Sequence, residues 1–161
     1  MPLWEQAGLS MRYQIHFDGR VEADVLRRAL GRRFGIPPSA VYVGRLEDRP
    51  VSAVRPVAIV TPPEGPGGFG WTLIGDRELA EATRLSELDL ARVLAQELNL
   101  RALVDDGTAH PDRWILVASD GSHGPVIVDE DAAAEGDLRI DHAQAPIPGE
   151  PGLRVIPAPR Y

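Results

Sequence analysis

A helix with both of its ends marked in the sequence constrains the fold of this chain most. Ser86 is a good N-cap, and Asp89 three residues later completes a variant of the capping box. Leu90 opens an apolar face that recurs at helical spacing, and Asn99 can end the helix in the left-handed conformation. A short apolar strand, 102–104, follows almost at once, so the segment predicts a helix next to a sheet.

The remaining patterns predict one further helix and several short strands. Residues 22–34 have apolar positions at helical spacing, and Gly35 is a suitable residue after the helix end. Alternating or apolar runs predict further strands at 12–17, 41–43, 52–60, 71–74, 114–118 and 125–128. A Pro/Gly-rich loop from 61 to 70 predicts a hairpin with a long connection. The predicted fold is α+β, with an antiparallel or mixed sheet of about six to seven strands and two helices packed on one face.

Length and local composition predict a single domain with two appendages. A chain of 161 residues has the usual size of one domain. Residues 1–11 read as an N-terminal extension and residues 12–130 as the α+β domain. Residues 131–161 lose periodicity and contain a Pro/Gly-rich stretch, which predicts an extended C-terminal extension.

Composition excludes several classes of function. The chain has no Cys and no Lys, because all 17 of its basic residues are Arg, as is typical of GC-rich bacterial genomes. Disulfides, thiol nucleophiles and lysine Schiff bases are therefore impossible. The net charge of −7 argues against nucleic-acid binding. Apolar runs are too short to cross a membrane and no secretory signal is visible, so we expect a cytoplasmic protein.

No motif predicts catalysis or a cofactor. The Gly-rich loop leads into a strand, whereas a phosphate loop opens a helix. The four histidines lack the close spacing that zinc pairs usually have. His110, Asp112 and His123 could still assemble around one hairpin, although two exposed turn histidines explain the same pattern. We therefore expect no catalytic residue, no metal and no cofactor.

Charge is distributed unevenly along the chain. Residues 1–60 carry 9 Arg against 6 acidic residues, and residues 61–161 carry 8 Arg against 18. An acidic surface attracts basic proteins and speeds their encounter, but it also serves solubility alone. The candidate partner-binding residues are the acids of the predicted turns: Asp105, Asp106, Asp112, Asp129, Glu130 and Asp131.

One segment resembles part of a known group of proteins. Residues 90–107, followed by 111–117 and Asp120-Gly121, resemble a helix–strand–hairpin segment of small acidic actinobacterial proteins. Some proteins of that group are immunity proteins that neutralise polymorphic toxins. The resemblance covers about a third of the chain, contains no catalytic motif and implies a binding protein.

The leading hypothesis is a non-enzymatic protein-binding module, namely an immunity-type inhibitor that covers a basic toxin or enzyme with its acidic surface. The first alternative is a small metal- or ligand-binding, enzyme-like domain that uses His110, Asp112 and His123. The second alternative is an accessory subunit of a larger complex. Such a subunit would dock through the arginines of the first helix: Arg27, Arg28, Arg32 and Arg33.

Overall fold

Eight strands form one sheet in the computed structural model, which describes residues 12–18, 21–50, 54–63 and 69–160. The predicted N-terminal extension, 1–11, lies outside these ranges. The strands are β1 (Tyr13–Asp18), β2 (Val41–Val43), β3 (Ala58–Thr61), β4 (Phe69–Gly75), β5 (Ala102–Asp105), β6 (Arg113–Val117), β7 (His123–Val128) and β8 (Ile140–Ala143).

Four α-helices accompany the sheet in the described ranges. They are α1 (Ala23–Phe34), α2 (Arg77–Thr83), α3 (Glu87–Leu98) and α4 (Glu130–Ala134). Single 3₁₀ turns, Pro38–Ala40 and Leu46–Asp48, flank β2. None of the helices in this part of the chain combines the length and the apolar character needed to cross a membrane.

The local signals for the two predicted helices are confirmed. The Ser86 hydroxyl accepts a hydrogen bond from the Asp89 backbone N–H at 3.2 Å, and Asn99 ends α3 with a φ of 52°. Gly35 follows α1 with a φ of 69°, a conformation that glycine adopts without a steric penalty. Capping satisfies backbone groups that a helix end leaves without partners, which is why these ends were readable from sequence.

The strand order is β2-β3-β4-β1-β5-β6-β7-β8. Neighbouring strands are antiparallel except β2 and β3, which are parallel. The α+β class and the mixed sheet are therefore confirmed, and so is the hairpin formed by β3 and β4. The predicted count of six to seven strands and two helices is too low.

The main core lies between one face of the sheet and the helices. Tyr13, Ile15 and Phe17 alternate along β1 and are buried against this core. Leu26 of α1 and Leu94 of α3 are fully buried in it, so both predicted helices pack on one face. We call this the helix-covered face.

A second, smaller core lies on the opposite face of the sheet, which we call the second face. Leu103, Leu116 and Val126 from β5, β6 and β7 are buried there together with Ile147 from the C-terminal segment. Ala143 of β8 donates its N–H to the carbonyl of Arg154 at 2.8 Å, which holds the chain end against the last strand. The predicted C-terminal extension therefore contributes both a strand and a cover for half of the second face.

Three elements were not predicted. Helix α2 has only seven residues, and its N-cap Asp76 makes no capping hydrogen bond through its side chain. Helix α4 has five residues, fewer than two turns. Strand β8 has four residues and includes polar Asp141 and His142, so no clear alternation marks it.

Candidate functional site

The predicted acidic residues lie together at one end of the sheet. Strand β5 ends at Asp105, β6 begins at Arg113 and β7 ends at Val128. Because these strands are antiparallel neighbours, the loop after β5 and the segment after β7 emerge at the same end. The Val128 N–H donates to the carbonyl of Asp112 at 2.9 Å, which ties these two segments together. We call the six predicted acids at this place the acidic end.

Three of the six carboxylates serve the local fold, namely Asp106, Asp129 and, through one turn, Asp105. Asp106 accepts the Thr108 N–H at 2.9 Å and forms an ion pair with Arg113, with 3.1 Å between Oδ2 and Nε. Only 6% of the Asp106 side chain is exposed. Asp129 caps α4 by accepting the backbone N–H groups of Asp131 and Ala132 at 2.9 and 3.1 Å. Asp106 and Asp129 are therefore already engaged.

The other four carboxylates, Asp105 among them, remain for contact with a partner. Asp105, Glu130 and Asp131 are exposed, and Asp112 is half-buried. Among the described residues none of the four has an ion-pair partner. Asp105 also accepts the Gly107 N–H at 2.6 Å, a contact that fixes the turn after β5.

Glu87 borders the acidic end and was not predicted to belong to it. The Gln14 backbone N–H donates to Oε2 of Glu87 at 2.8 Å. Burial raises the pKa of Glu87, and the charge of Asp105 raises it further. The sequence showed only an acid in the first turn of a helix. The pairing of strands from distant parts of the chain brings it close to Asp105.

The histidine hypothesis is not supported by the strand register. His123 pairs with Val117 at one end of β6, whereas Asp112 precedes Arg113 at the other end. Four residue steps separate those ends, or about 14 Å along a strand. His110 stays near Asp112, whose N–H points to its Nδ1 at 3.3 Å. Within the described ranges, no group of three or more His, Asp or Glu side chains is arranged to hold a metal ion.

Two of the four arginines of α1 form ion pairs and two do not. Arg27 lies 3.6 Å from Asp24, and Arg32 lies 2.8 Å from Glu97. Arg28 and Arg33 are exposed. A docking surface on α1 would therefore have two free guanidinium groups rather than four, since Arg28 contacts only a backbone carbonyl.

A cavity of about 300 Å³ lies on the part of the second face that the C-terminal segment leaves uncovered. We call it the sheet-face cavity. Strands β1, β3 and β4 form its floor, the Leu46–Asp48 turn lines one side, and Gly136 and Leu138 line another. No sequence signal predicted it, because its walls come from segments far apart in the chain.

His16 lies in this cavity at the border between the covered and uncovered halves. Its Nδ1 lies 2.9 Å from Oγ1 of Thr72, and its ring packs edge-on against Trp114 with 5.5 Å between the ring centroids. Burial lowers the pKa of His16 to about 4, so the imidazole is neutral at neutral pH. Its Nε2 is buried and has no hydrogen-bond partner in the described part of the protein.

In the sequence, His16 is one of four widely spaced histidines and lies within the predicted strand at 12–17. Thr72 lies 56 residues further along the chain, and only the register of β1 with β4 brings the two side chains together. A histidine within a half-buried strand can be noticed in a sequence, but the sequence does not show which side chain it contacts.

Comparisons with protein-family profiles, with curated proteins and with solved structures find no match to this chain.

Proposed function

We propose that this protein is a non-enzymatic binding module that docks on a basic surface of another protein through its acidic end. In this proposal it acts as an immunity-type inhibitor in the cytoplasm, and it covers the active site of a toxin or enzyme. The supporting observation is the convergence of six acidic residues from two separate segments at one end of the sheet.

The electrostatics of the acidic end favour a basic partner. Asp105, Asp112, Glu130 and Asp131 lie at one end of the sheet without an ion-pair partner among the described residues. Like charges held close together repel each other, and a basic surface relieves that repulsion. Complementary charge also accelerates association and makes it sensitive to salt. If the partner is a nuclease, these carboxylates occupy the positions that substrate phosphates would take.

The backbone of the acidic end is held in place before any partner arrives. Asp105 fixes Gly107, Asp106 fixes Thr108, and Asp129 fixes the first turn of α4. A surface ordered in advance loses less conformational entropy on binding. These hydrogen bonds thus position the loops that carry the carboxylates without an ion-pair partner.

The test is capture of partners from a lysate of the source cell at low and high salt. The acidic-end variant combines Asp105→Asn, Asp112→Asn, Glu130→Gln and Asp131→Asn. The control variant changes charge equally at exposed acids elsewhere, with Glu22→Gln, Asp24→Asn, Asp48→Asn and Glu81→Gln. We expect one stoichiometric partner that the wild type and the control variant retain at low salt. The acidic-end variant should lose it, and the captured protein should regain its own activity when released.

Two results would contradict the proposal. One is a partner that the acidic-end variant binds as well as the wild type does. The other is a partner that binds only through α1, so that reversal of Arg28 and Arg33 abolishes capture, a result that favours an accessory subunit.

A further inference from the structure

We propose that the sheet-face cavity binds a small organic anion, a carboxylate or phosphate group carried on an apolar body. This site is separate from the acidic end, and the inference does not depend on the proposed docking function.

Two arginines without acidic partners provide the first argument. Arg12 and Arg45 both line the cavity, and neither forms an ion pair with a described residue. Of the 14 other described arginines, nine lie within 4.0 Å of a carboxylate, and the remaining five do not line this cavity. Glu47 also lines the cavity, but it forms no ion pair with either guanidinium. With two arginines and one glutamate, the lining has a formal charge of +1 in a chain whose net charge is −7, which favours an anionic ligand.

A row of polar side chains on the cavity floor provides the second argument. Thr61 of β3 is in register with Thr72 of β4, which is in register with His16 of β1. Within this row, the Nε2 atom of His16 is buried and has no partner. A buried polar atom without a hydrogen bond destabilises the free protein. The imidazole lines the cavity, and a ligand bound there would supply the missing partner once the ring turns Nε2 towards it.

The apolar side chains of the lining indicate that the rest of the ligand, beyond its anionic group, is apolar. Phe69 and Ile74 on the floor and Leu138 at the side all line the cavity. Leu46 lines it as well, although 50% of this large apolar residue is exposed. Polar and apolar side chains contribute about equally to the lining, which suits a ligand with one charged and one apolar part. The volume of about 300 Å³ lies at the lower end of the range for small-molecule sites.

The test is a nuclear magnetic resonance titration of the ¹⁵N-labelled protein with three probes of similar size. Benzoate and phenyl phosphate carry the two anionic groups on the same ring, and benzamide is the neutral comparison. We expect at least one anionic probe to bind with millimolar affinity, to shift amide signals around the cavity and to move the ¹⁵N signal of His16 Nε2. Benzamide should bind more weakly, and the stronger anion will show which head group the site prefers.

A pair of variants assigns the binding to the two arginines. Arg12→Gln combined with Arg45→Gln should weaken the anionic probe about tenfold or more, because two charge-assisted contacts are lost. Arg28→Gln combined with Arg33→Gln removes the same charge on α1 and should leave affinity unchanged. The acidic-end variant should bind the probe like the wild type, which separates this site from the docking function.

Three outcomes would overturn the inference. They are the absence of binding by both anionic probes, equal binding by benzamide, and equal loss of affinity in the two arginine variants. The amide spectra of the variants show whether each one is folded, so a misfolded variant is recognised before affinity is compared.

Discussion

The second face of the sheet has two halves, of which one is covered by the C-terminal segment and the other is left uncovered. Over β5 to β8, the C-terminal segment covers Leu103, Leu116 and Val126 and forms a core. Over β1, β3 and β4, the same face keeps Thr72 and His16 around a cavity. The course of the chain after β7 therefore determines which half of this face is buried and which half keeps a cavity.

The largest expected loss of stability comes from a substitution in the covered half, and a matched substitution in the uncovered half should cost less. Leu116 is fully buried beneath the C-terminal segment, so Leu116→Ala leaves a cavity and should destabilise the protein by about 3 kcal/mol. Ile74 lies half-buried in the uncovered half, and Ile74→Ala should lower stability by about 1 kcal/mol. Urea unfolding of both variants measures the two values. Equal losses would show that the halves do not differ in burial.

The free energy of unfolding should depend on pH through His16, which lies at the border between the two halves. The pKa of His16 is lowered from 6.5 to about 4, so the unfolded chain binds a proton more readily than the folded protein does. The contribution of His16 to the free energy of unfolding is therefore fully present above pH 6.5 and is lost as the pH drops towards 4. The loss should be about 2 kcal/mol near pH 5.

Unfolding of His16→Gln and of His123→Gln tests this dependence. The His16 variant should lack this part of the acid-induced loss, and the exposed His123 variant should follow the wild-type profile. A wild-type-like profile for the His16 variant would refute the assignment.

The attachment of the C-terminal cover depends on Gly149. Its N–H donates to the Ser122 hydroxyl at 2.8 Å, and an added Cβ would lie 2.6 Å from the Cβ of Ala118. Gly149→Ala should destabilise the protein by about 1 to 2 kcal/mol, because the cover must shift. Gly152→Ala is the control, since nothing lies within 4 Å of its Cβ position, and it should change stability by less than about 0.5 kcal/mol. Thermal unfolding compares them, and similar melting temperatures for the two variants would contradict the role of Gly149.

The smallest changes in stability are expected at the acidic end, which borders the covered half. Asp129 caps α4, so Asp129→Ala should lower stability by about 1 kcal/mol. Glu130→Gln should change it by less than about 0.5 kcal/mol, because that side chain is exposed and unpaired among the described residues. Chemical denaturation of both variants distinguishes an engaged carboxylate from a free one. A larger loss for Glu130→Gln would contradict this division.

Local signals explain what the sequence predicted well. The caps at Ser86, Gly35 and Asn99 act within a few residues, so both long helices were found within a residue or so of their ends. The alternation at 12–17 also predicted strand β1 correctly, because side chains of a strand alternate between a buried and an exposed face.

Long-range pairing explains what the sequence did not predict. The acidic segments were recognised, but their meeting depends on the register of β5, β6 and β7. The contact between His16 and Thr72 depends on β1 pairing with β4. The C-terminal cover has no periodicity because it packs as an irregular segment, with Ile147 placed by tertiary contacts alone. Neither the cavity nor its cover could therefore be read from local patterns.

The most direct test of the docking proposal is the association rate constant with the captured partner, measured across a range of salt concentrations. We expect the wild type and the control variant to associate quickly at low salt and to slow down as salt increases. The acidic-end variant should associate slowly at low salt and depend little on salt. Equal rates and equal salt dependence for the two variants would contradict an acidic docking surface.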